Sequence, residues 1–358
     1  MSLKKKINVA VAGATGFVGL DLVNILSKHP KVKIKYLCAQ KKIGKSISNF
    51  DKRIKKKLPK ISKIDNVKWN EVNILFTSLP NGESQKLIKK LIKYDNLKFI
   101  DLSADFRIQN KFIYKKFYGL EHVAVDLINR SMYSVSEFIK NKIKYSNKRI
   151  IACAGCYPTS IQIPLIPLLK KKLIKKNNII IDSKSGYSGA GKNLKNKFKH
   201  KNLYSAIHPY GILKHRHLSE IDQELFRASN STVGYSFTPH LIPTFRGLLS
   251  AIYVEKKNNV SINKIYRELT NFHKKNYFIK IAKFNKNIGT ENVINTNFCE
   301  VSICKLRLKN KFLILSALDN LIKGAGGQAI QNMNIIYGFK ENLGLKWNIY
   351  IYSFLHYW

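Results

Sequence analysis

Apolar residues in the first 155 positions form short runs that alternate with amphipathic segments. The run Ile7–Ala12 predicts a buried parallel strand, and apolar residues at helical spacing predict a helix over about 17–29 that Pro30 ends. Further apolar runs predict strands at 34–38, 73–77, 99–102 and 149–152, and a helix at 83–93, while the lysine-rich stretch 41–70 predicts an irregular connection. This alternation of strands and helices predicts a doubly wound parallel sheet.

The pattern changes after residue 155. A helix is predicted over about 158–172, and Pro164 or Pro167 is expected to kink or break it. Strand-like runs follow at 178–183, 232–237, 249–255, 298–306 and 312–318, with a helix at 262–274 that Ser261 caps and a last helix at about 324–336. The fold class is therefore α/β, with a Rossmann-type domain followed by a larger α+β domain that contains a mixed sheet.

Composition narrows the class of protein. The chain has 358 residues, of which 45% are hydrophobic, so two cores can be buried. Five cysteines is a low and odd number, which argues against a disulfide framework and favours a reducing compartment. The longest apolar stretch, 161–169, is too short to span a bilayer, and the N-terminus lacks the apolar run of a secretory signal. We therefore expect a cytoplasmic protein.

The charge is strongly basic. Lys and Arg number 64 against 21 Asp and Glu, which gives a formal charge of +43. Such a charge attracts polyanions, and a nucleic-acid-binding protein is the alternative of a different class. The lysines are spread over the whole chain together with a surplus of Ile and Asn, a combination that AT-rich codons produce. The sequence therefore predicts no specific nucleic-acid partner.

A glycine motif, Gly-Ala-Thr-Gly-Phe-Val-Gly, occupies residues 13–19 between the first strand and helix. Glycines allow a tight turn and the close approach of a pyrophosphate, which then binds at the helix N-terminus. A tight turn without a ligand is the alternative. Residues 40–42 (Gln-Lys-Lys) end the second strand and supply no carboxylate for a ribose hydroxyl, whereas the lysines suit a 2′-phosphate. NADP is therefore expected in preference to NAD. The expected contacts from this loop are Gly13, Thr15, Gly16, Phe17 and Val18.

A second motif, Cys-Ala-Gly-Cys-Tyr-Pro-Thr, follows a strand and opens a helix at residues 153–159. The N–H groups and dipole of the helix start favour a thiolate, so Cys156 is the candidate nucleophile. A redox pair of Cys153 with Cys156 and a structural zinc site are alternatives. Cys299 and Cys304 are poor further zinc ligands, because five positions along a strand separate them onto opposite faces. Cys153 itself suits a buried core position.

The third motif is Lys-His-Arg-His-Leu-Ser-Glu at residues 214–220. A thiol nucleophile needs a general acid and base, for which His215 and His217 are candidates, and Glu220 is placed to orient one of them. A solvated basic loop is the alternative. Both interpretations remain open on the residues alone.

The chain resembles the N-acetyl-gamma-glutamyl-phosphate reductase family, within the aspartate-semialdehyde dehydrogenase-like superfamily, from about residue 7 to 344. Besides the three motifs above, the resemblance rests on residues 78–83 (Ser-Leu-Pro-Asn-Gly-Glu), 101–107 (Asp-Leu-Ser-Ala-Asp-Phe-Arg), 185–191 (Ser-Gly-Tyr-Ser-Gly-Ala-Gly), 239–247 and 319–329. The chain departs from the family pattern at Ala154, Ser219 and Asn81. The last fourteen residues extend beyond the usual end of the family.

The resemblance implies an arginine-biosynthesis enzyme in which NADPH reduces N-acetyl-gamma-glutamyl phosphate through a cysteine thioester. It implies Cys156 as nucleophile and His217 as acid and base, with Ser188, Gly189 and Asn320 near the cofactor. From their residue types, Arg107 is expected to bind the phosphate and Arg246 the substrate carboxylate, although an ion pair of Arg107 with Asp101 or Asp105 is an alternative.

The expected domains follow from the same resemblance. They are an NADP-binding domain over 1–155 that a C-terminal helix within 324–344 completes, a catalytic and dimerisation domain over 156–323, and an extra tail over 345–358. A homo-oligomer, dimer or tetramer, is expected, with no metal and no membrane partner. Aspartate-semialdehyde dehydrogenase, which shares the fold and the chemistry, is the nearest alternative function.

Overall fold

Two seven-stranded sheets organise the chain. The structure, a computed structural model, describes residues 6–139, 148–191, 202 and 204–345. The extra tail predicted over 345–358 therefore lies almost entirely outside the described residues. Among the residues described, no helix combines the length and apolar character that crossing a membrane requires.

The first sheet is parallel throughout, with strand order β3-β2-β1-β4-β5-β7-β6. Its strands are β1 (Ile7–Ala12), β2 (Val32–Cys38), β3 (Ile61–Ser62), β4 (Ile74–Thr77), β5 (Lys98–Asp101), β6 (Ser131–Ser134) and β7 (Ile150–Cys153). The predicted parallel sheet is confirmed, and five of these strands lie within two residues of their predicted bounds. The two missed strands, β3 and β6, are short and lack a run of apolar residues.

Helices cover both sheets. In chain order they are α1 (Phe17–Lys28), α2 (Glu83–Leu91), α3 (Lys111–Tyr118), α4 (Val125–Ile128), α5 (Cys156–Lys170), α6 (Leu218–Ser229), α7 (Ile262–His273) and α8 (Gly327–Ile336). Ser261 caps α7 as predicted, since its side chain accepts a hydrogen bond from the Lys264 N–H. The last helix differs from its prediction, because residues 322–326 form a π-helical turn before α8 begins. Residues of α8 share the apolar core of the first sheet.

The second sheet is mixed, with strand order β12-β13-β14-β11-β8-β10-β9. Its strands are β8 (Ile179–Gly186), β9 (His208–Pro209), β10 (Tyr235–Ile242), β11 (Leu248–Glu255), β12 (Ile279–Ile281), β13 (Cys299–Lys305) and β14 (Lys311–Leu318). The prediction of a strand over 232–237 was wrong in its bounds. The strand continues through Pro239, a residue type that argues against a strand when only the sequence is considered. The proline is tolerated because β10 lies next to the edge strand.

Helix α5 is continuous although Pro164 and Pro167 lie inside it, so the expected break does not occur. Pro167 has no N–H to bond the carbonyl of Ile163, one turn earlier. That carbonyl instead accepts a hydrogen bond from Nε2 of the buried His273 at 3.0 Å. A side chain of α7 thus replaces the missing helical hydrogen bond, and the helix that begins at Cys156 stays intact.

Candidate active site

Cys156 is the first residue of α5 and lies three positions after Cys153, the last residue of β7. The π-helical turn 322–326, from the C-terminal part of the chain, packs against Cys156. A Cβ atom on Gly324 would lie 2.6 Å from the Cys156 Cβ, so only glycine fits there. The thiol is partly exposed, whereas the other four cysteines are buried.

The carboxylate of Glu220, in the first turn of α6, is fully buried beside the start of α5. Its Oε2 accepts a hydrogen bond from the Gly155 N–H at 2.9 Å, and its Oε1 pairs with Nη1 of Arg107 at 2.9 Å. The Tyr133 hydroxyl donates a third hydrogen bond at 3.2 Å. Glu220 therefore joins three segments of the chain behind the reactive cysteine.

His217 lies directly over the residue that precedes Cys156. A Cβ atom on Gly155 would be 2.5 Å from His217 Nε2, and Glu220 Oε1 lies 3.8 Å from the same nitrogen. In the described part of the chain, Nδ1 is buried without a hydrogen-bond partner. Burial, together with the positive charges of Arg107 and Arg216, lowers the pKa of His217 well below its usual range. The imidazole is therefore neutral in the free protein.

His215 is held in a different way. Its Nδ1 accepts a hydrogen bond from the His217 backbone N–H at 3.2 Å, and its Nε2 lies 3.3 Å from the Tyr210 hydroxyl. Burial and the neighbouring His217 and Arg216 lower the pKa of His215 to about 2. Because Nδ1 accepts, the proton of this neutral ring resides on Nε2. These contacts give His215 a structural role in the loop and favour His217 as the acid and base.

The environment of the Cys156 thiol differs from the expectation that the helix start ionises it. Burial, with a smaller contribution from the Glu220 charge, raises the pKa of Cys156 to about 11, although the Tyr157 N–H and Arg107 oppose the shift. The free protein therefore holds a protonated thiol beside a neutral imidazole. A base must take the thiol proton before the sulfur can attack.

Cys153 is a core residue. It is fully buried in β7, its Sγ accepts a hydrogen bond from Asn332 Nδ2 at 3.4 Å, and burial raises its pKa to about 12. The expected core position is thus observed, and nothing in its surroundings favours redox exchange. Among the residues described, no group of three or more His, Cys, Asp or Glu side chains is arranged to hold a metal ion.

Arg107 is buried and pairs with Glu220, not with Asp101 or Asp105 as the alternative held. Asp101 accepts hydrogen bonds from Thr77 and Ser103, and Asp105 accepts the N–H groups at the start of α2. The Arg107 Nη2 donates to the Leu102 carbonyl at 2.8 Å, while Nε has no partner in the described part of the chain. Nε is therefore the guanidinium nitrogen that the described residues leave without an acceptor.

The glycine loop fits a dinucleotide. Gly13 has φ +80°, and the turn leads into α1, whose first N–H groups have no intrahelical acceptor. Among the residues described, a Cβ atom on Gly16 would meet only the Gly13 carbonyl oxygen, at 3.5 Å, so this side of the loop is open. Thr15, Phe17 and Val18 belong to the same turn. Exposed Lys41 and Lys42 follow the end of β2, the strand next to β1.

Three other residues that were expected near the cofactor come together although they are distant in sequence. Asn320 Nδ2 donates to the Ser188 Oγ at 2.9 Å, and a Cβ on Gly189 would lie 3.5 Å from the same nitrogen. Arg246, expected at the substrate carboxylate, instead pairs with Asp21 of α1 at 2.7 Å and with Asp319 at 3.5 Å. Its predicted substrate contact gets no support from these pairings.

Sequence reasoning missed several contributors to the site. Tyr133 and Gln162 flank Glu220, and Gln162 Nε2 donates to the Tyr133 hydroxyl at 2.9 Å. Neither residue belongs to a chemical motif, so local sequence offers no signal for them. Gly324 had one signal, the Gly-Ala-Gly-Gly run, which marks a tightly packed backbone.

Comparisons with known proteins agree with this arrangement. A family model described as the NAD binding domain of semialdehyde dehydrogenase matches residues 8–145, and one described as its dimerisation domain matches residues 156–320. Fold and site thus define a protein of the semialdehyde dehydrogenase class. The N-acetyl-gamma-glutamyl-phosphate reductase of Ehrlichia canis (strain Jake) is 43% identical over 344 residues, covering 95% of this chain and 98% of that protein. The chain belongs to the N-acetyl-gamma-glutamyl-phosphate reductase family.

Solved structures share the fold at low sequence identity. Aspartate semialdehyde dehydrogenase II from Vibrio cholerae, complexed with ASA, superposes with a TM-score of 0.70 at 16% identity, covering 94% of this chain and 99% of that one. Aspartate semialdehyde dehydrogenase from Candida albicans, solved with NADP, has a TM-score of 0.65 at 16% identity, covering 95% of this chain and 100% of that one. These likenesses support the fold alone.

The raised pKa of Cys156 predicts how the free protein reacts with iodoacetamide. Only the thiolate is alkylated, so the rate at Cys156 should be low at pH 7 and still rise between pH 9 and about 10. Mass spectrometry of Cys156 peptides over a pH series measures this, with Cys156→Ser as the control for labelling elsewhere. A rate that levels off below pH 8 would show a preformed thiolate.

Proposed function

We propose that this chain reduces N-acetyl-gamma-glutamyl phosphate with NADPH, giving N-acetyl-glutamate 5-semialdehyde and phosphate, in arginine biosynthesis. The observation that carries the proposal is the grouping of Cys156 and His217 around buried Glu220 in a chain 43% identical to an N-acetyl-gamma-glutamyl-phosphate reductase. An acyl phosphate suits this site, because it is an electrophile that needs no further activation once a base has removed the thiol proton.

The first half of the reaction forms a thioester. His217, neutral in the free protein, takes the proton of the Cys156 thiol, and the sulfur attacks the acyl carbonyl. The N–H groups at the start of α5 stabilise the oxyanion that develops. The bond between the carbonyl carbon and the phosphate oxygen then breaks. Arg107 is proposed to hold the departing phosphate with the donor that Glu220 and Leu102 leave unused.

The second half releases the aldehyde. A nicotinamide held at this site would supply the hydride for reduction of the thioester. His217 protonates the substrate oxygen, giving the thiohemiacetal, and removes that proton again as the carbon–sulfur bond breaks. The aldehyde then leaves, and His217 returns the proton to the Cys156 sulfur. The residues proposed to hold the cofactor are Gly13, Thr15, Gly16, Phe17, Val18, Ser188, Gly189 and Asn320.

We further propose a homo-oligomer built on the open face of the second sheet. Ile180, Tyr253 and Leu313 pair across β8, β11 and β14 and share that face, and Ile180 is 49% exposed. The match to a dimerisation domain over residues 156–320 supports this surface as the contact with a second copy. A dimer, or a tetramer made from two dimers, and a cytoplasmic location stay predictions.

The proposed activity is tested by following NADPH absorbance with purified protein and N-acetyl-gamma-glutamyl phosphate. We expect turnover by the wild type and none by Cys156→Ser, because a serine hydroxyl is not a sufficient nucleophile here. Cys153→Ser is the matched control and should keep most of the activity, since Cys153 is a core residue. Turnover of beta-aspartyl phosphate in place of the longer substrate would assign the aspartate-semialdehyde dehydrogenase activity instead.

Replacing His217 tests the acid and base. His217→Asn should lower kcat by roughly 10²–10⁴-fold and leave the affinity for NADPH almost unchanged. His215→Asn is the matched control, and we expect a smaller loss because His215 contacts the loop and Tyr210. A larger loss for His215→Asn would exchange the two roles.

Cofactor preference is a separate prediction. We expect kcat/KM to be at least about tenfold higher with NADPH than with NADH, because a charged hydrogen bond to the 2′-phosphate contributes roughly 1.5–3 kcal/mol. The double variant Lys41→Ala, Lys42→Ala should lower the ratio of kcat/KM with NADPH to kcat/KM with NADH. Lys171→Ala, an exposed lysine at the far end of α5, should leave it unchanged. Equal efficiency with the two cofactors in the wild type would contradict the assignment of NADP.

A further inference from the structure

Segment 244–247 (Thr-Phe-Arg-Gly), which connects β10 to β11, contacts three residues of the proposed cofactor site, Phe17, Ser188 and Asn320. Its main chain holds the turn that carries Ser188, because the Tyr187 N–H donates to the Thr244 carbonyl at 2.9 Å and the Ser188 N–H to the Phe245 carbonyl at 3.2 Å. The Gly247 N–H donates to Asn320 Oδ1 at 2.9 Å. One short segment therefore orients both Ser188 and Asn320.

The side chains of the same segment reach the first sheet. The ring of Phe245 meets the ring of Phe17, in the glycine loop, edge to face at a centroid distance of 5.2 Å. Arg246 Nη2 donates to Asp21 Oδ1 at 2.8 Å, one turn into α1. Asp21 is 1% exposed, so this ion pair is shielded from water and is costly to break.

Asp319, the second carboxylate that faces Arg246, is also held in place by hydrogen bonds. Asp319 Oδ1 accepts the N–H groups of Leu321 and Ile322 at 2.8 and 3.0 Å, and Oδ2 accepts the Asn295 N–H at 2.7 Å. Arg246 Nη1 lies 3.5 Å from Oδ1. The guanidinium thus spans α1 and the residue that precedes Asn320.

From these contacts we infer that Arg246 is a positioning residue for the dinucleotide cofactor and does not bind the substrate carboxylate. This inference rests on the cofactor role proposed for Ser188, Asn320 and the glycine loop. Arg246 holds α1, and with it the glycine loop, in a fixed position relative to the turn that carries Ser188 and relative to Asn320. Both terminal nitrogens take part, since Nη2 contacts Asp21 and Nη1 contacts Asp319.

The test compares cofactor binding with substrate binding in the full-length protein. The dissociation constant for NADPH is measured by fluorescence without substrate, and the KM for N-acetyl-gamma-glutamyl phosphate is measured at saturating NADPH. Arg246→Met should weaken NADPH binding roughly tenfold, as expected for the loss of coupling between two parts of one site, and change the KM less than threefold. Asp21→Asn should weaken NADPH binding similarly, because it removes the partner of Arg246 while leaving the arginine in place.

Arg53 provides the matched control. Its Nη2 also donates to Asp21 Oδ1, at 2.7 Å, but its other contacts are with Asp51, in the long connection after β2. Arg53→Met therefore removes one arginine from the same carboxylate without cutting the link to segment 244–247. We expect it to change the NADPH dissociation constant less than twofold. A loss equal to that of Arg246→Met would show that only the local charge of Asp21 matters and would overturn the inference.

A double variant distinguishes positioning from general damage to the fold. If Arg246 acts through Asp21, Arg246→Met with Asp21→Asn should bind NADPH no more weakly than either single variant, whereas independent losses would multiply. Multiplying losses would overturn the inference. So would a tenfold rise in KM with NADPH affinity unchanged, which is the result for a carboxylate ligand. If the wild type itself bound no NADPH, the proposed function would fail first, independently of Arg246.

Discussion

The buried carboxylate of Glu220 is the constraint on which the site depends. A fully buried charge is tolerated only when it is paired and hydrogen-bonded, and Glu220 meets this condition with Arg107, the Gly155 N–H and Tyr133. These partners come from three parts of the chain, so none can move without exposing an unpaired group. Since α6 begins directly after His217, the carboxylate that anchors α6 also places the imidazole over Gly155.

Burial is the main cause of the protonation states of the two reacting groups. It lowers the pKa of His217, with Arg107 adding to the shift, and it raises the pKa of Cys156, so both groups are neutral in the free protein. In the proposed role of Arg107, a bound phosphoryl group adds negative charge beside His217, which reduces the penalty on the protonated imidazole and makes proton transfer from the thiol less costly.

Local patterns were sufficient for much of this fold and for choosing the candidate reactive residues. The strand bounds of β1 and the cap at Ser261 follow from hydrophobic periodicity and capping chemistry, and Cys156 follows from its position at a helix start. The pairing of Arg107 with Glu220 joins residues 113 positions apart and leaves no trace in either local motif. Arg246 shows the same limit more strongly, because its partner Asp21 is 225 positions away and neither local motif indicates the pairing.

Glycines determine how closely the two halves of the site meet. A Cβ atom on Gly155 would lie 2.5 Å from His217 Nε2, and one on Gly324 would lie 2.6 Å from the Cys156 Cβ. Both distances are shorter than van der Waals contact, so alanine at either position would displace the imidazole or the start of α5. Catalytic groups must be held to within about half an ångström of their working geometry. The missing side chain at Gly155 therefore allows the imidazole to approach the start of α5, and the one at Gly324 allows the π-helical turn to pack against Cys156.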